Sequence, residues 1–134
     1  MAEHPNVQKL RDAYTAFAAG DLTTALRDVA PAGIIHFKGS GPLSGEHIGV
    51  NNIKTALVGA FALTAGTRSF DVEAIYADAR HGVLLLHETA SRPDGATLDI
   101  HEAHVIAFDE EGRITDIWDL PSDPAVHERF FDNL

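Results

Sequence analysis

Residues 97–120, TLDIHEAHVIAFDEEGRITDIWDL, read as two adjacent strands joined by the turn Asp109-Glu110-Glu111-Gly112. Side chains alternate faces along a strand, so Leu98, Ile100, Glu102, His104, Ile106 and Phe108 share one side of the first strand. Asp99, His101, Ala103, Val105 and Ala107 share the other. Glu102 and His104 therefore stand among aliphatic neighbours. A carboxylate there is costly unless it is paired, hydrogen-bonded or wet, which marks this face as the wall of a pocket.

The preceding segments extend this sheet. Residues 68–78 and 82–91 read as strands, and Arg92-Pro93-Asp94-Gly95 has proline where a type I turn takes it. Projection through that tetrad sets Leu85 opposite Glu102, Val83 opposite His104 and His87 opposite Ile100. His87 then joins the pocket face. The facing of the last strand depends on Gly112, which either ends a four-residue turn or forms the bulge of a three-residue one. In the first case Ile117 and Asp119 join Glu102 and His104. In the second, Asp116, Trp118 and Leu120 do. Asp119 and Trp118 are both retained as candidates.

The N-terminal half is helical. Val7, Leu10, Tyr14 and Phe17 recur at spacings of three and four from Pro5 to Ala19, and Gly20 stops the helix. Asp21 caps a second helix, LTTALRDVA, which Pro31 interrupts. Gly33 to Lys38 is a short strand carrying His36, and GSGPLSGEHIG is a loop holding Ser40 and Ser44. Ile53, Ala56, Leu57, Ala60, Phe61 and Ala65 outline a third helix closed by Gly66. Asp123 caps a terminal helix that turns Val126, Phe130 and Leu134 inward. The layout is α+β, in the order α-α-β-α-β-β-β-β with a short C-terminal helix. It forms one domain over residues 1–134.

Composition excludes several functions. With 20 Asp and Glu against 10 Lys and Arg, the formal charge of -10 repels phosphate backbones and anionic lipids, so neither nucleic acid nor membrane is an expected partner. The chain has no cysteine, which removes disulfides, thiolate metal sites and cysteine nucleophiles. No stretch resembles a signal peptide or a membrane span, and the cytoplasm is the expected compartment. Eight histidines raise a metal reading through His36, His104 and Glu102. No HExxH or close ligand spacing supports it, and no metal is expected. No serine lies in a GxSxG elbow.

Several strings carry a family resemblance: AYTAFAAGD at residues 13–21, IIHFKGSGPLSG at 34–45 and EAHVIAFDEEGRITDIWDLPSD at 102–123. Together they resemble the SnoaL-like branch of the ketosteroid isomerase-like, or nuclear transport factor two-like, superfamily. The resemblance implies a cone-shaped, curved antiparallel (mixed) sheet wrapped around three helices. It also implies a pocket for a small hydrophobic molecule, no cofactor and a homodimer formed through the sheet. His36 falls where ketosteroid isomerases keep an aspartate base. His104 falls where they keep a protonated aspartate that donates to the oxyanion. Both positions are changed, which argues against steroid isomerase activity itself. The Asp-Arg-Asp pattern of related epoxide hydrolases is not evident, since the inward stretch of the meander shows no arginine beside its carboxylates.

Two functions follow as expectations. The first is an isomerase or cyclase acting on a small hydrophobic carbonyl compound, with His36 as base, His104 as acid or oxyanion donor, and Glu102 or Asp119 orienting it. Tyr14, Phe17, His87 and Trp118 would line its pocket. The alternative is a binding or accessory domain without turnover. For assembly, Leu84, Leu86, Ala90, Ala103, Val105 and Ala107, interrupted by Glu88, Asp99 and His101, are expected to form a second apolar sheet face.

Overall fold

The computed structural model describes residues 3–37 and 43–132. Helix α1 spans Pro5–Ala18, with proline in its first turn and His4 as cap, whose Nδ1 accepts from the Asn6 amide at 3.1 Å. Its apolar stripe buries Val7 and Leu10. Helix α2 covers only Leu22–Ala25, capped by Asp21, and strand β1 (Val29–Phe37) starts where more helix was expected. Pro31 explains this, because proline disfavours helical backbone at the residue before it. Strand β2 (Gly45–Ile48) forms within the stretch expected as loop, followed by helix α3 (Val50–Leu63). Strands β3 (Ser69–Ala77), β4 (His81–Ser91), β5 (Thr97–Phe108) and β6 (Ile114–Pro121) complete the sheet. Helix α4 (Pro124–Asp132) closes the chain, with the Val126 amide donating to Asp123 Oδ1. Ser40 and Leu134 lie outside the described residues.

The six strands form one mixed, open sheet in the order β2-β1-β6-β5-β4-β3, parallel only between β1 and β6. Helices α1 and α3 pack on its inner face around Leu10, Ile53, Leu84, Leu86, Ile106 and Phe108. Helix α4 covers a second cluster of Ala90, Leu98, Ile100, Phe130 and Phe131.

Two turns decide which side chains face inward. The Arg92 amide donates to Ala96 O, and Gly95 takes φ +94°, so the β4–β5 loop is one residue longer than the projected tetrad. Leu84 therefore stands opposite His104, Leu86 opposite Glu102 and Glu88 opposite Ile100. This corrects the projected pairing, and every β4 side chain changes face. Leu84, Leu86, Glu88 and Ala90 are buried inward. His87 instead lies opposite His101 on the outer face, the two rings stacked at 4.7 Å.

At the β5–β6 turn, Gly112 takes φ +76° and the Asp109 amide donates to Arg113 O, which is the bulged arrangement. That alone would bring Trp118 inward. A second irregularity, after Phe108↔Ile114, leaves Thr115 unpaired and sets Ala107 opposite Asp116. The facing returns, with His104 opposite Asp119 and Val105 opposite Trp118.

Candidate functional site

A cavity of ≈ 70 Å³ lies between the helices and the inner face of the sheet. Helix α1 contributes Tyr14 and Phe17, α3 Ile53 and Leu57, β1 Ile35 and Phe37, and β6 Ile117. Among the described residues, only Tyr14, Arg68, His104 and Asp119 bring polar groups to this apolar lining. An apolar cavity with a few convergent polar groups is the usual form of a small-molecule site, and this volume, below the typical range of about 300–1,000 Å³, suits a small ligand.

Tyr14 and His104 meet at the cavity wall, with Oη 2.6 Å from Nδ1. On the far side of the ring, His104 Nε2 lies 3.1 Å from Glu102 Oε1 and 3.4 Å from Asp119 Oδ1. All three side chains sit in the buried interior. Burial opposes the His104 imidazolium, but the Tyr14 oxygen and the carboxyl groups of Asp119 and Glu102 outweigh it, and the ring titrates well above the usual histidine range. Burial also works against the Asp119 carboxylate, yet His104, with His127 and Arg68, pulls it down to about 2. Glu102 moves the other way. Its burial, reinforced by Asp119 and Glu88 and only partly offset by the His104 hydrogen bond, pushes it up to about 8.

The neutral-pH state is thus an imidazolium against the Asp119 carboxylate, with Glu102 holding its proton. His104 donates through Nδ1 to the Tyr14 oxygen and through Nε2 to the carboxyl groups. The phenolic proton of Tyr14, a group whose own titration is raised by burial, is left directed away from His104 and available to a ligand.

Behind Asp119 the cluster continues. Arg68, immediately before β3, donates from Nε to Glu88 Oε1 at 2.7 Å, with both side chains almost wholly buried. Its guanidinium lies 4.6 Å from the Phe70 ring centroid and 5.1 Å from that of Phe131. This corrects the expectation that no arginine accompanies the inward carboxylates. His127 of α4 points its Nε2 at Glu88, Glu102 and Asp119, and burial lowers its titration.

Three expected site residues lie elsewhere. His36 is on the outer face, because the bulky neighbours Ile35 and Phe37 take the cavity side of β1 and a strand alternates. It stacks on Trp118 at 5.0 Å, with rings 5° from parallel, and its Nε2 lies 2.9 Å from Asp116 Oδ1. His36 is not a pocket base, and Trp118 lines no part of the cavity. His87 pairs with Asp99 on the same outer surface. The expected metal triad of His36, His104 and Glu102 is divided between the two faces of the sheet.

Arg68 and His127 were beyond the sequence reading, and Glu88 was assigned to the wrong face. His127 has a signal in sequence, since spacings of three and four place it on one α4 face with Phe130 and Phe131. Glu88 interrupts Leu84, Leu86 and Ala90 just as Glu102 interrupts β5.

Fold and cavity together define an α+β domain that encloses a small-molecule pocket between helices and a curved sheet. The SnoaL-like domain pattern matches residues 10–117, and the chain belongs to the SnoaL-like family. The uncharacterized protein Rv0034 of Mycobacterium tuberculosis is 28% identical over 131 residues, spanning 98% of this chain and 99% of that protein. Among solved structures, Bal32a from a soil-derived mobile gene cassette superposes with a TM-score of 0.87 at 24% identity, covering 94% of this chain and 95% of that one. TerC, co-crystallized with polyporic acid, superposes with a TM-score of 0.81 at 19% identity, covering 94% and 98%. A putative SnoaL-like polyketide cyclase from Jannaschia sp. CCS1 gives 0.75 at 11% identity, covering 98% and 97%. Among the described residues, no helix is long and apolar enough to cross a membrane.

Proposed function

We propose that this protein is a cofactor-independent acid–base catalyst that shifts a proton beside the carbonyl of a small apolar compound, as an isomerase or cyclase step requires. The observation that carries this reading is the Tyr14–His104 contact at 2.6 Å in an otherwise apolar cavity that Asp119 also lines. Tyr14, held by the His104 imidazolium, donates to the substrate carbonyl oxygen. Asp119 takes the proton from the adjacent carbon as the electron pair moves to oxygen, forming an enolate stabilised by the Tyr14 hydroxyl. Return of that proton to a different carbon, or attack of the enolate carbon on a second carbonyl whose oxygen then takes the proton back from Asp119, completes the reaction. Glu102 keeps the His104 ring in place.

A specific observation favours a second reading, a binding domain without turnover. Asp119 titrates at about 2, which makes it a weak base compared with one poised near neutrality. The two readings separate on incubation with small apolar enones and 1,3-diketones in deuterium oxide, followed by mass spectrometry. Deuterium uptake above the buffer rate, lost in Asp119→Asn and in Tyr14→Phe, supports catalysis. Retention of the compounds with exchange no faster than in buffer supports binding alone. TerC was co-crystallized with polyporic acid, which agrees with either.

For assembly, we infer a homodimer paired through the outer sheet face, and a cytoplasmic setting compatible with the absence of cysteine. Leu85, Tyr76 and Leu120 are exposed there around the partly covered Val83, Val105 and Trp118. A twofold arrangement sets this patch against its own copy.

A further inference from the structure

Between α4 and the sheet, one layer behind the cavity, four side-chain atoms from four elements converge without hydrogen-bond partners. His127 Nε2 lies 4.0 Å from Glu88 Oε2, 3.9 Å from Glu102 Oε2 and 3.8 Å from Asp119 Oδ2. All four atoms are solvent-inaccessible and unpaired. A buried polar atom left unpaired is costly, and several aimed at one imidazole call for a shared occupant.

We propose that Glu88, Glu102 and His127 form a binding site for one divalent first-row metal ion that pins α4 to the sheet. One imidazole nitrogen and two carboxylate oxygens, with a fourth position left for water, are a donor set suited to zinc or manganese. The ligand atoms of Glu88, Glu102 and His127 all lie within 4.8 Å of one another, against about 3.4 Å between ligands about 2.1 Å from a tetrahedral ion. The orientation of ligands is already held, since Arg68 anchors the other oxygen of Glu88 and His104 that of Glu102. A small cleft of ≈ 20 Å³ bordered by Arg68, His127 and Phe131 opens beside His127. That cleft also has room for a single water, which is the competing occupant.

The inference does not depend on turnover, and its test reads metal directly. The full chain, stripped with a chelator and titrated with zinc chloride and with manganese chloride in a calorimeter, should take up about one equivalent of at least one ion and melt at a higher temperature when loaded. His127→Ala should weaken uptake about 10-fold or more and abolish the thermal shift. His127→Gln serves the same purpose if the alanine variant does not fold. His101→Ala, which dismantles the stacked surface imidazoles, should change neither. The proposal is overturned if the stripped chain binds neither ion, which leaves water as the occupant, if the His127 variants bind as tightly as the native chain, or if His101→Ala removes the binding.

Discussion

His104 and Asp119 stand directly opposite each other on β5 and β6, Nε2 to Oδ1 3.4 Å, because Thr115 is an unpaired residue in β6. Had Thr115 paired regularly with Ala107, Trp118 would stand opposite His104 and Asp119 would turn outward. The ion pair at the cavity thus rests on a backbone irregularity some distance away.

Tyr14→Phe removes the oxygen to which His104 Nδ1 donates. A buried charged donor left unsatisfied costs about 1–3 kcal/mol, so the variant should unfold at lower urea concentration with an unchanged slope. The buried phenyl ring keeps most of the packing.

The Arg68–Glu88 pair lies almost wholly out of water, whereas Arg113–Glu111 is exposed. Truncating Glu88 to alanine leaves an unpaired buried guanidinium and should cost about 3–5 kcal/mol. Glu111→Ala should cost under about 1 kcal/mol. Thermal melts of the two variants that fall by similar amounts would contradict this account.

Gly33 sits where β1 bends against β6, and a Cβ there would lie 2.6 Å from Val29 Cγ1, 3.0 Å from Ala30 O and 3.1 Å from Ile114 O. Two of these are backbone atoms that cannot swing aside. Gly33→Ala should lose about 1–3 kcal/mol. Gly82→Ala, whose tightest contact at 2.7 Å is the flexible end of Leu10, should lose less. Chemical denaturation ranks the pair.

Asp109 accepts from the Arg113 and Glu111 amides and pairs with the Arg113 side chain, and the Arg113 amide leads in drawing its carboxyl below the usual value of 3.8. A folded-state titration below the unfolded one means that the turn gains stability above the unfolded value and loses it as pH falls through the folded one. Carbon-detected NMR should place this titration below 3.8, and Asp109→Asn should flatten the acid dependence of the hairpin amides.

The outer sheet face yields the assembly prediction. Light scattering at micromolar concentration should give twice the 14.4 kDa chain mass, and Val105→Lys should shift it toward one chain. A native mass near a single chain would remove the dimer.

The sequence by itself determined the faces of β5, because period-two alternation from Leu98 to Phe108 leaves Glu102 and His104 among aliphatics in any register. It also marked the four helices, reading α2 past its end at Ala25, and the α+β order. What it left to the tertiary structure was the pairing of neighbouring strands. A positive φ at Gly95 or Gly112 adds one residue to a loop, and one residue moves a whole strand to the other face, as happened to His87 and Glu88. His36 was misplaced for a related reason, since Ile35 and Phe37 on either side left the cavity no place for it. The convergence of His127 with Glu88, Glu102 and Asp119 lay further out of reach. It joins three strands and a helix across separations of 8 to 39 residues, and only the packing of Phe130 and Phe131 onto the sheet brings that imidazole to them.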